Sequence, residues 1–318
     1  DGNGHIAYQS KSYLRYDGGG MANISSSPTI TNTTFSYNTA SISGGGMAND
    51  YSSSPTITNT TFLHNTADEG GGGMFNDSSS PTITNTTFSY NTASNSGGGM
   101  YNSYGSSPII TNSIFWENLK NSSNSALGAD IEDVSSSSPT VSYCLTQTYN
   151  GGTRIISNKN PLFVDAANGD FSLQGCSPAI NAGTTVSHTT DILGNSHVGI
   201  VDIGTYEYQG TKVVITVSAP TVTQPTCIVS TGEIIVNATT TTGTLEYSID
   251  NGTSYQSSNT FSGLAAGNYT IKVNEQSSSC TETYGSNPVV INAFITVSAP
   301  TVTQPTCSTP TGTIIVNA

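Results

Sequence analysis

Hydrophobic residues recur along the first third of the chain at an interval that is too long for a single helix or strand. Each copy pairs a methionine that follows a glycine run with a phenylalanine fourteen or fifteen residues later. The anchors are Met21, Met47, Met74 and Met100, with Phe35, Phe62, Phe88 and Phe115. Because the copies are 26 or 27 residues apart, they predict stacked supersecondary units that bury their apolar faces only against one another.

Polar and apolar residues alternate inside each copy. In "PTITNTTF" the apolar Ile30 stands between Thr29 and Thr31, which is the period of a half-buried strand. Glycine, serine, threonine, asparagine and one proline per copy disfavour a helix. A short strand, a bend and another strand in each copy predict one coil of a right-handed parallel β-helix.

Three asparagine positions are kept in all four copies. In a parallel stack, equivalent amides lie one above another and can hydrogen-bond from coil to coil, so we predict three buried ladders. The alternative is that these residues are ordinary exposed turn residues. The predicted ladder residues are Asn23, Asn49, Asn76 and Asn102; Asn32, Asn59, Asn85 and Asn112; and Asn38, Asn65, Asn91 and Asn118.

A second, longer repeat begins after the first. "ITVSAPTVTQPTC" starts at Ile215 and again at Ile295, and several short alternating runs with an Asn251-Gly252 turn lie between them. Short strands at this density predict an immunoglobulin-like β-sandwich. We therefore expect an all-β chain: a β-helix with its cap over 1–212, a sandwich over 213–293 and the start of a second sandwich over 294–318.

Composition narrows the range of functions. The net charge is −13 with only seven Lys and Arg, which argues against nucleic-acid binding, and no apolar run could span a bilayer. The sequence contains no phosphate-binding loop and no nucleophile elbow. We expect a piece of a larger secreted or cell-surface polypeptide.

Two resemblances cover the β-helical part. "GGGM" followed by "FSYN", "FLHN" or "FWEN" over 18–118 resembles the paired motifs of the chlamydial polymorphic outer-membrane proteins, which are β-helical surface adhesins. "NPLFVDAANGDFSLQGCSPAINAG" and "DILGNSHVGIVDIGTYEY", within 130–208, are similar to the choice-of-anchor Q proteins. The second resemblance implies that 160–208 forms irregular last coils and a cap.

A third resemblance covers the longer repeat. "FSGLAAGNYTIKV" resembles a segment of tandem extracellular repeats in surface adhesins of Bacteroidota. Together, the three resemblances imply an extracellular structural or adhesive protein, whose partners would be copies of itself, neighbouring modules of its own chain, or surface glycans.

The five cysteines suggest two disulfides. Cys227 and Cys280 lie in one 80-residue unit, and Cys307 takes the position of Cys227 in the following copy. Cys144 and Cys176 are the remaining pair. The alternative is a set of reduced, buried thiols.

Candidate catalytic and metal-binding residues are few. Asp50 and Asp77 take equivalent positions in successive copies and could stack as a glycosidase pair, although turn residues are the simpler interpretation. Oxygen ligands in loops suit Ca²⁺, and the weak candidates are Asp130, Glu132, Asp133, Asp165 and Asp170. Beyond this possible Ca²⁺, no cofactor is expected.

One surface could bind a ligand without any catalytic group. The pairs Thr29/Thr31, Thr56/Thr58 and Thr82/Thr84 predict an outward grid of hydroxyls of the kind that ice-binding β-helices use. Threonine is also the ordinary outward residue of a strand, and Ile109 interrupts the grid. Three hypotheses follow: a structural and adhesive segment without catalysis, which we favour, a carbohydrate-active lyase or glycosidase, and an ice-binding protein.

Overall fold

The chain folds into two compact units that meet in sequence at Lys212 and Val213. The computed structural model describes residues 18–123, 128–278, 280–294 and 298–316. Within these ranges the regular elements are strands and a single short 3-10 turn, Ala166–Asn168. The predicted all-β class is confirmed, and each unit is described separately below.

Four parallel sheets run the length of the first unit, and each coil contributes one strand to most of them. We name each sheet after a residue that recurs in its strands. The methionine sheet holds Met21–Ile24, Met47–Asp50, Met74–Asp77, Met100–Ser103 and Ile131–Asp133. The threonine sheet holds Thr29–Thr31, Thr56–Thr58, Thr82–Thr84, Ile109–Thr111 and Thr140–Ser142. The phenylalanine sheet holds Thr34–Ser36, Thr61–Leu63, Thr87–Ser89, Ile114–Trp116, Leu145–Thr146 and Ile156–Ser157, and the alanine sheet holds Thr39–Ala40, Thr66–Ala67, Thr92–Ala93 and Leu119–Lys120.

Each regular coil thus contains four short strands, where the sequence predicted two. The difference arises at the bends, where single residues adopt left-handed backbone angles and end a strand after two to four residues. Asn85 has a φ of 47° between the threonine and phenylalanine sheets, and Tyr90 has a φ of 55° before the alanine sheet. Asparagine tolerates this conformation well, which is why the bend recurs at Asn32, Asn59 and Asn112.

The interior of the coils is a set of columns of identical side chains. Met21, Met47, Met74 and Met100 pair directly in register, so the predicted internal methionine column is confirmed. The phenylalanines of four coils form a parallel ring stack with centroid spacings of 4.9, 4.5 and 4.6 Å. An isoleucine column from the threonine sheet fills the remaining space between these two columns.

Glycine is required where successive coils approach most closely. A Cβ atom added at Gly72 would lie 2.4 Å from the carbonyl oxygen of Thr92 and 2.6 Å from that of Gly98. Its neighbour Gly71 has a φ of +66°, which side chains disfavour. The repeated "GGG" is therefore a corner in which backbone packs on backbone.

After the last coil, residues 161–208 run along the outside of the phenylalanine sheet; we call them the flanking segment. The segment includes an antiparallel pair, Phe163–Asp165 with Asp170–Leu173. Its Leu173, Ala179, Ile180 and Ile203 pack on the outward side chains Ile114 and Leu145. The flanking segment thus covers one face of the coil stack, whereas the choice-of-anchor Q resemblance implied irregular last coils and a cap.

The second unit consists of antiparallel strands. Its strands are Ile215–Thr223, Gly232–Thr240, Leu245–Ser248, Thr260–Leu264, Gly267–Tyr269, Lys272–Glu275, Thr281–Thr283, Val289–Ile291, Thr301–Thr303 and Thr313–Ile315. The core contains Ile234, Val236, Ile271, Val273 and Ile291. The last two strands pair as an exposed hairpin. The immunoglobulin-like assignment and the boundary at 293 stay predictions.

Candidate functional site

The first asparagine column forms a continuous hydrogen-bonded ladder. Each Nδ2 donates to the Oδ1 of the following coil, with distances of 2.8 Å from Asn23 to Asn49, from Asn49 to Asn76 and from Asn76 to Asn102. Asn102 then donates to Asp133 Oδ1 at 2.8 Å. A carboxylate accepts without donating, so Asp133 satisfies the last donor of the column.

A second ladder has the same direction and the same kind of end. Asn38, Asn65, Asn91 and Asn118 are joined by Nδ2-to-Oδ1 bonds of 2.9, 2.9 and 3.0 Å. Their amides also donate to backbone carbonyls of the preceding coil, as Asn91 does to Phe62 at 2.9 Å. Asn118 Nδ2 lies 3.4 Å from Asp130 Oδ1, so this column also ends on a carboxylate.

The third predicted column is interrupted, and this part of the prediction is wrong. Asn59 donates to Asn32 and Asn112 donates to Asn85, both at 3.2 Å, but Asn59 Oδ1 is buried without a hydrogen-bond partner within the described residues. The amides of this column also donate to the flanking segment: Asn59 to the Thr190 carbonyl at 2.7 Å and Asn112 to the Thr184 carbonyl at 2.8 Å. The column therefore anchors that segment to the coils.

Serines that sequence reasoning passed over form further ladders. The backbone N–H groups of Ser54, Ser80 and Ser107 donate to the Oγ atoms of Ser27, Ser54 and Ser80, each at 2.9 Å. The signal was the repeated "SSP", which occurs in all four copies, as the asparagines do. Hydroxyl ladders thus extend the coil-to-coil bonding to the surface loops.

The predicted disulfides Cys144–Cys176 and Cys227–Cys280 are not formed, because Cys144 and Cys227 are free thiols. Cys144 belongs to a column of hydroxyls. Thr60, Thr86 and Ser113 each donate to a carbonyl two residues earlier, and Cys144 Sγ does the same to Ser142 at 3.2 Å. Aligning "TVSYC" with "TITNT" would have revealed this.

We expect Cys144 to resist alkylation in the native chain while Cys227 and Cys307 react. Burial raises the pKa of the Cys144 thiol to about 12, and the side chain is inaccessible, whereas the other two thiols are exposed. Iodoacetamide labelling followed by peptide mass spectrometry measures the three sites separately. Rapid native labelling of Cys144 would contradict its placement, and labelling after denaturation is the control.

The calcium candidates have other partners. Asp130 and Asp133 accept from the ladders, while Lys120 Nζ lies 2.8 Å from the Glu132 carboxylate. Asp165 accepts from Asn168 Nδ2 at 2.8 Å, and Asp170 from the backbone of Ser172 at 3.0 Å. No three of the described His, Cys, Asp or Glu side chains are grouped so as to hold a metal ion. Calcium binding stays a prediction.

Burial of the ladder ends gives the fold a pH dependence. Burial raises the pKa of Asp130 to about 6, against hydrogen bonds from Thr148, Asn118 and Gln147. The pKa of Asp133 is also raised, chiefly by burial. Because the folded-state pKa exceeds that of the unfolded chain, which is about 3.9, protonation favours the folded state.

We therefore expect the β-helix unit to gain stability from Asp130 as the pH falls, by about 1.4 kcal/mol between pH 7.5 and pH 5. The measurement is urea unfolding followed by the fluorescence of Trp116, the only tryptophan of the chain, which lies in this unit. In Asp130→Asn this contribution should disappear. Parallel pH profiles for the two chains would contradict the assignment.

Three buried carboxylates, which sequence reasoning missed, organise the flanking segment by accepting backbone N–H groups. Asp191 Oδ1 accepts from Leu193 and Asn195, and Glu207 Oε2 accepts from Asp202 at 3.0 Å. Asp202 in turn accepts from Asn181 and Tyr208. The part of the flanking segment after Leu173 has no regular strands, and there the acidic side chains satisfy backbone N–H groups.

The outward face of the threonine sheet is exposed. Thr29, Thr56 and Thr82 are exposed and pair in register on adjacent parallel strands, with Ile109 and Thr140 continuing the column. In contrast, Thr61 and Thr87, on the phenylalanine sheet, are buried under the flanking segment. The threonine grid that the sequence singled out is therefore open to solvent, and a second column, Thr39, Thr66 and Thr92 on the alanine sheet, is exposed at Thr39 and half-buried at the other two.

A column of rings lies at one edge of the coils, and Asp50 and Asp77 lie at the ends of strands in the methionine sheet. Tyr37, His64 and Tyr90 stack with centroid spacings of 4.9 and 5.0 Å, so His64 replaces a tyrosine within a ring column. Asp50 pairs with Ile24, and Asp77 pairs with Ser103. Asp77 is buried and accepts from Ser78 Oγ at 2.9 Å.

Comparison with known proteins agrees with this architecture. Residues 3–189, more than half of the chain, match the family model described as the right-handed β-helix region. The chain belongs to this family. Neither the search of curated proteins nor the search of solved structures gave a significant match. No helix in the described part of the chain is long and apolar enough to cross a membrane. Because one fold serves many functions, family membership defines the scaffold and not the activity.

Proposed function

We propose that the chain is a structural and adhesive segment of a secreted or cell-surface protein, in which the β-helix is a stiff spacer. The observation that carries this proposal is the pair of continuous amide ladders. Each passes through four coils and ends on an aspartate, Asp133 or Asp130. The adhesin and choice-of-anchor resemblances support the same function.

Ladders of this kind make the coils mechanically interdependent. Asn76 accepts a hydrogen bond from Asn49 on the preceding coil and donates one to Asn102 on the following coil. Displacing either coil therefore leaves a buried amide group without a partner. Repetition then adds length without weakening the stack, because each interior coil presents the same bonds to the next.

The exposed hydroxyls supply the contact surface. Ser54, Ser80, Thr56 and Thr82 lie exposed on successive coils and offer donors and acceptors at the inter-strand spacing of about 4.8 Å. Such a surface suits surface glycans, or another copy of the chain, better than it suits anionic polymers, which the net charge of −13 would repel.

The test is adhesion under flow. Microspheres carrying the chain should be retained on glycan-coated or chain-coated surfaces and should release no product from the same glycans in solution. Microspheres carrying a chain with Thr56→Glu and Thr82→Glu are the matched control. Release of reducing ends or unsaturated uronates, lost in Asp77→Asn, would instead support a carbohydrate-active enzyme.

The threonine grid favours a second candidate function, ice binding. Thr29, Thr56 and Thr82 form an open, regular hydroxyl column on a sheet. If this function is correct, the chain should show thermal hysteresis that Thr56→Tyr abolishes. Thr39→Tyr, at an exposed threonine on the alanine sheet, is the control and should have no effect.

A further inference from the structure

Two histidines of the flanking segment meet in a cleft that the proposed function does not use. His188 and His197 are nine positions apart in sequence, and their ring centroids are 5.2 Å apart with planes at 78°. The cleft has a volume of about 490 Å³ and is lined by both rings together with Thr185, Thr189 and Ser196. Sequence spacing alone gave no reason to pair these residues.

The separation of the rings is that of two imidazoles bound to one tetrahedral metal ion. A zinc–nitrogen bond of about 2.05 Å, plus about 1.1 Å from nitrogen to ring centre, places each centre about 3.2 Å from the metal. Two such ligands at the tetrahedral angle of about 109° have ring centres about 5.2 Å apart. The distance between the ring centres therefore permits a shared ion, provided that one nitrogen of each ring faces the same point of the cleft.

An unsatisfied nitrogen is the second, independent observation. His188 Nε2 is buried and has no hydrogen-bond partner within the described residues. A neutral imidazole has one lone pair available, and a buried nitrogen without a partner is costly unless something binds it.

We propose that His188 and His197 bind a divalent transition-metal ion, with Zn²⁺ as the ion that two imidazoles and oxygen ligands suit best. The described His, Cys, Asp and Glu side chains supply no third ligand, so water completes the coordination and the site is open. The hydroxyls of Thr189 and Ser196 line the same cleft and can hold those waters.

Isothermal titration with ZnCl₂ tests the site. The chain should bind one Zn²⁺ that His188→Ala and His197→Ala each weaken by about tenfold or more, because one remaining imidazole is an ordinary monodentate ligand. His64→Ala is the matched control, since His64 lies in the column of stacked rings and not in the cleft. The His64→Ala chain should bind Zn²⁺ as tightly as the original chain does. Equal affinities in all four chains, or no binding at all, would overturn the proposal.

A second measurement does not depend on variants of the cleft. Electron paramagnetic resonance of Cu²⁺ bound to the His64→Ala chain should show hyperfine coupling to two imidazole nitrogens. Coupling to a single nitrogen would show that the rings do not bind the ion together and would overturn the proposal. Thermal melts of the metal-free variants show whether each is folded. If His188→Ala is misfolded, His188→Gln takes its place.

Discussion

Phe88→Ala is expected to destabilise the β-helix unit by about 3–5 kcal/mol. Phe88 is fully buried in the ring stack, with its neighbours Phe62 and Phe115 at centroid distances of 4.5 and 4.6 Å. The truncation removes apolar burial, leaves a cavity and breaks two ring contacts at once. Because the rings of Phe62 and Phe115 are held by their own coils, the cavity cannot close by a local shift.

Urea unfolding followed by Trp116 fluorescence measures this effect in the unit that contains Phe88. Phe294→Ala is the matched control, because Phe294 lies in the other unit with 37% of its surface exposed, and it should leave the Trp116 transition unchanged. A loss below about 1 kcal/mol for Phe88→Ala would contradict the placement of Phe88 in a packed core.

The repeated part of the fold was predictable because identical residues in register need only one rule to place them. Once the period is 26 or 27 residues, Met47 must lie over Met21, and the same holds for the phenylalanines and for two of the three asparagine columns. Four strands per coil were missed because strands of two or three residues, such as Thr39–Ala40, carry no alternation to detect.

The flanking segment could not be placed by the same reasoning. Its contacts join residues such as Asn59 and Thr190, which no repeat relates. Thr61 and Thr87 look like solvent-facing threonines, and the available hint was that Ile114 and Leu145 continue their column with apolar side chains. Covering that apolar end is what buries the threonines below it.

The candidate sites show the same division. The ladder amides were found from the repeat, but the aspartates that end the ladders were interpreted as calcium ligands, since Asp130 and Asp133 lie outside the repeated copies. Likewise, His188 and His197 come together only through an irregular backbone held by Asp191 and Glu207. The sequence shows that these aspartates and histidines are present, but only tertiary contacts determine their partners.

Asn91→Ala should cost about 4 kcal/mol, because several buried groups lose their partners together. Asn91 donates to Asn118 Oδ1 at 3.0 Å and to the Phe62 carbonyl, while its Oδ1 accepts from the backbone and the side chain of Asn65. Asn95→Ala, at an exposed asparagine in the same coil, should change stability by less than about 0.5 kcal/mol in the Trp116-monitored transition. Similar losses of unfolding free energy in the two variants would contradict a stabilising contribution from the ladder hydrogen bonds of Asn91.

The direction of the hydrogen bonds in the ladder gives a second prediction at Asn91. Asn91→Asp keeps the oxygen that accepts from Asn65 but turns a second oxygen toward Asn118 Oδ1 and the Phe62 carbonyl, which are both acceptors. At a pH high enough to keep the buried carboxyl ionised, a charge facing two acceptors should destabilise the unit more than Asn91→Ala does, although aspartate is nearly the same size as asparagine. At the end of the same column the groups that face Asp130 are donors, Asn118 Nδ2 and the backbone N–H groups of Gln147 and Thr148, and they offset part of the cost of burying its charge. If Asn91→Asp proved milder than Asn91→Ala at that pH, the ladder would have no fixed direction, and the aspartates would not be its required ends.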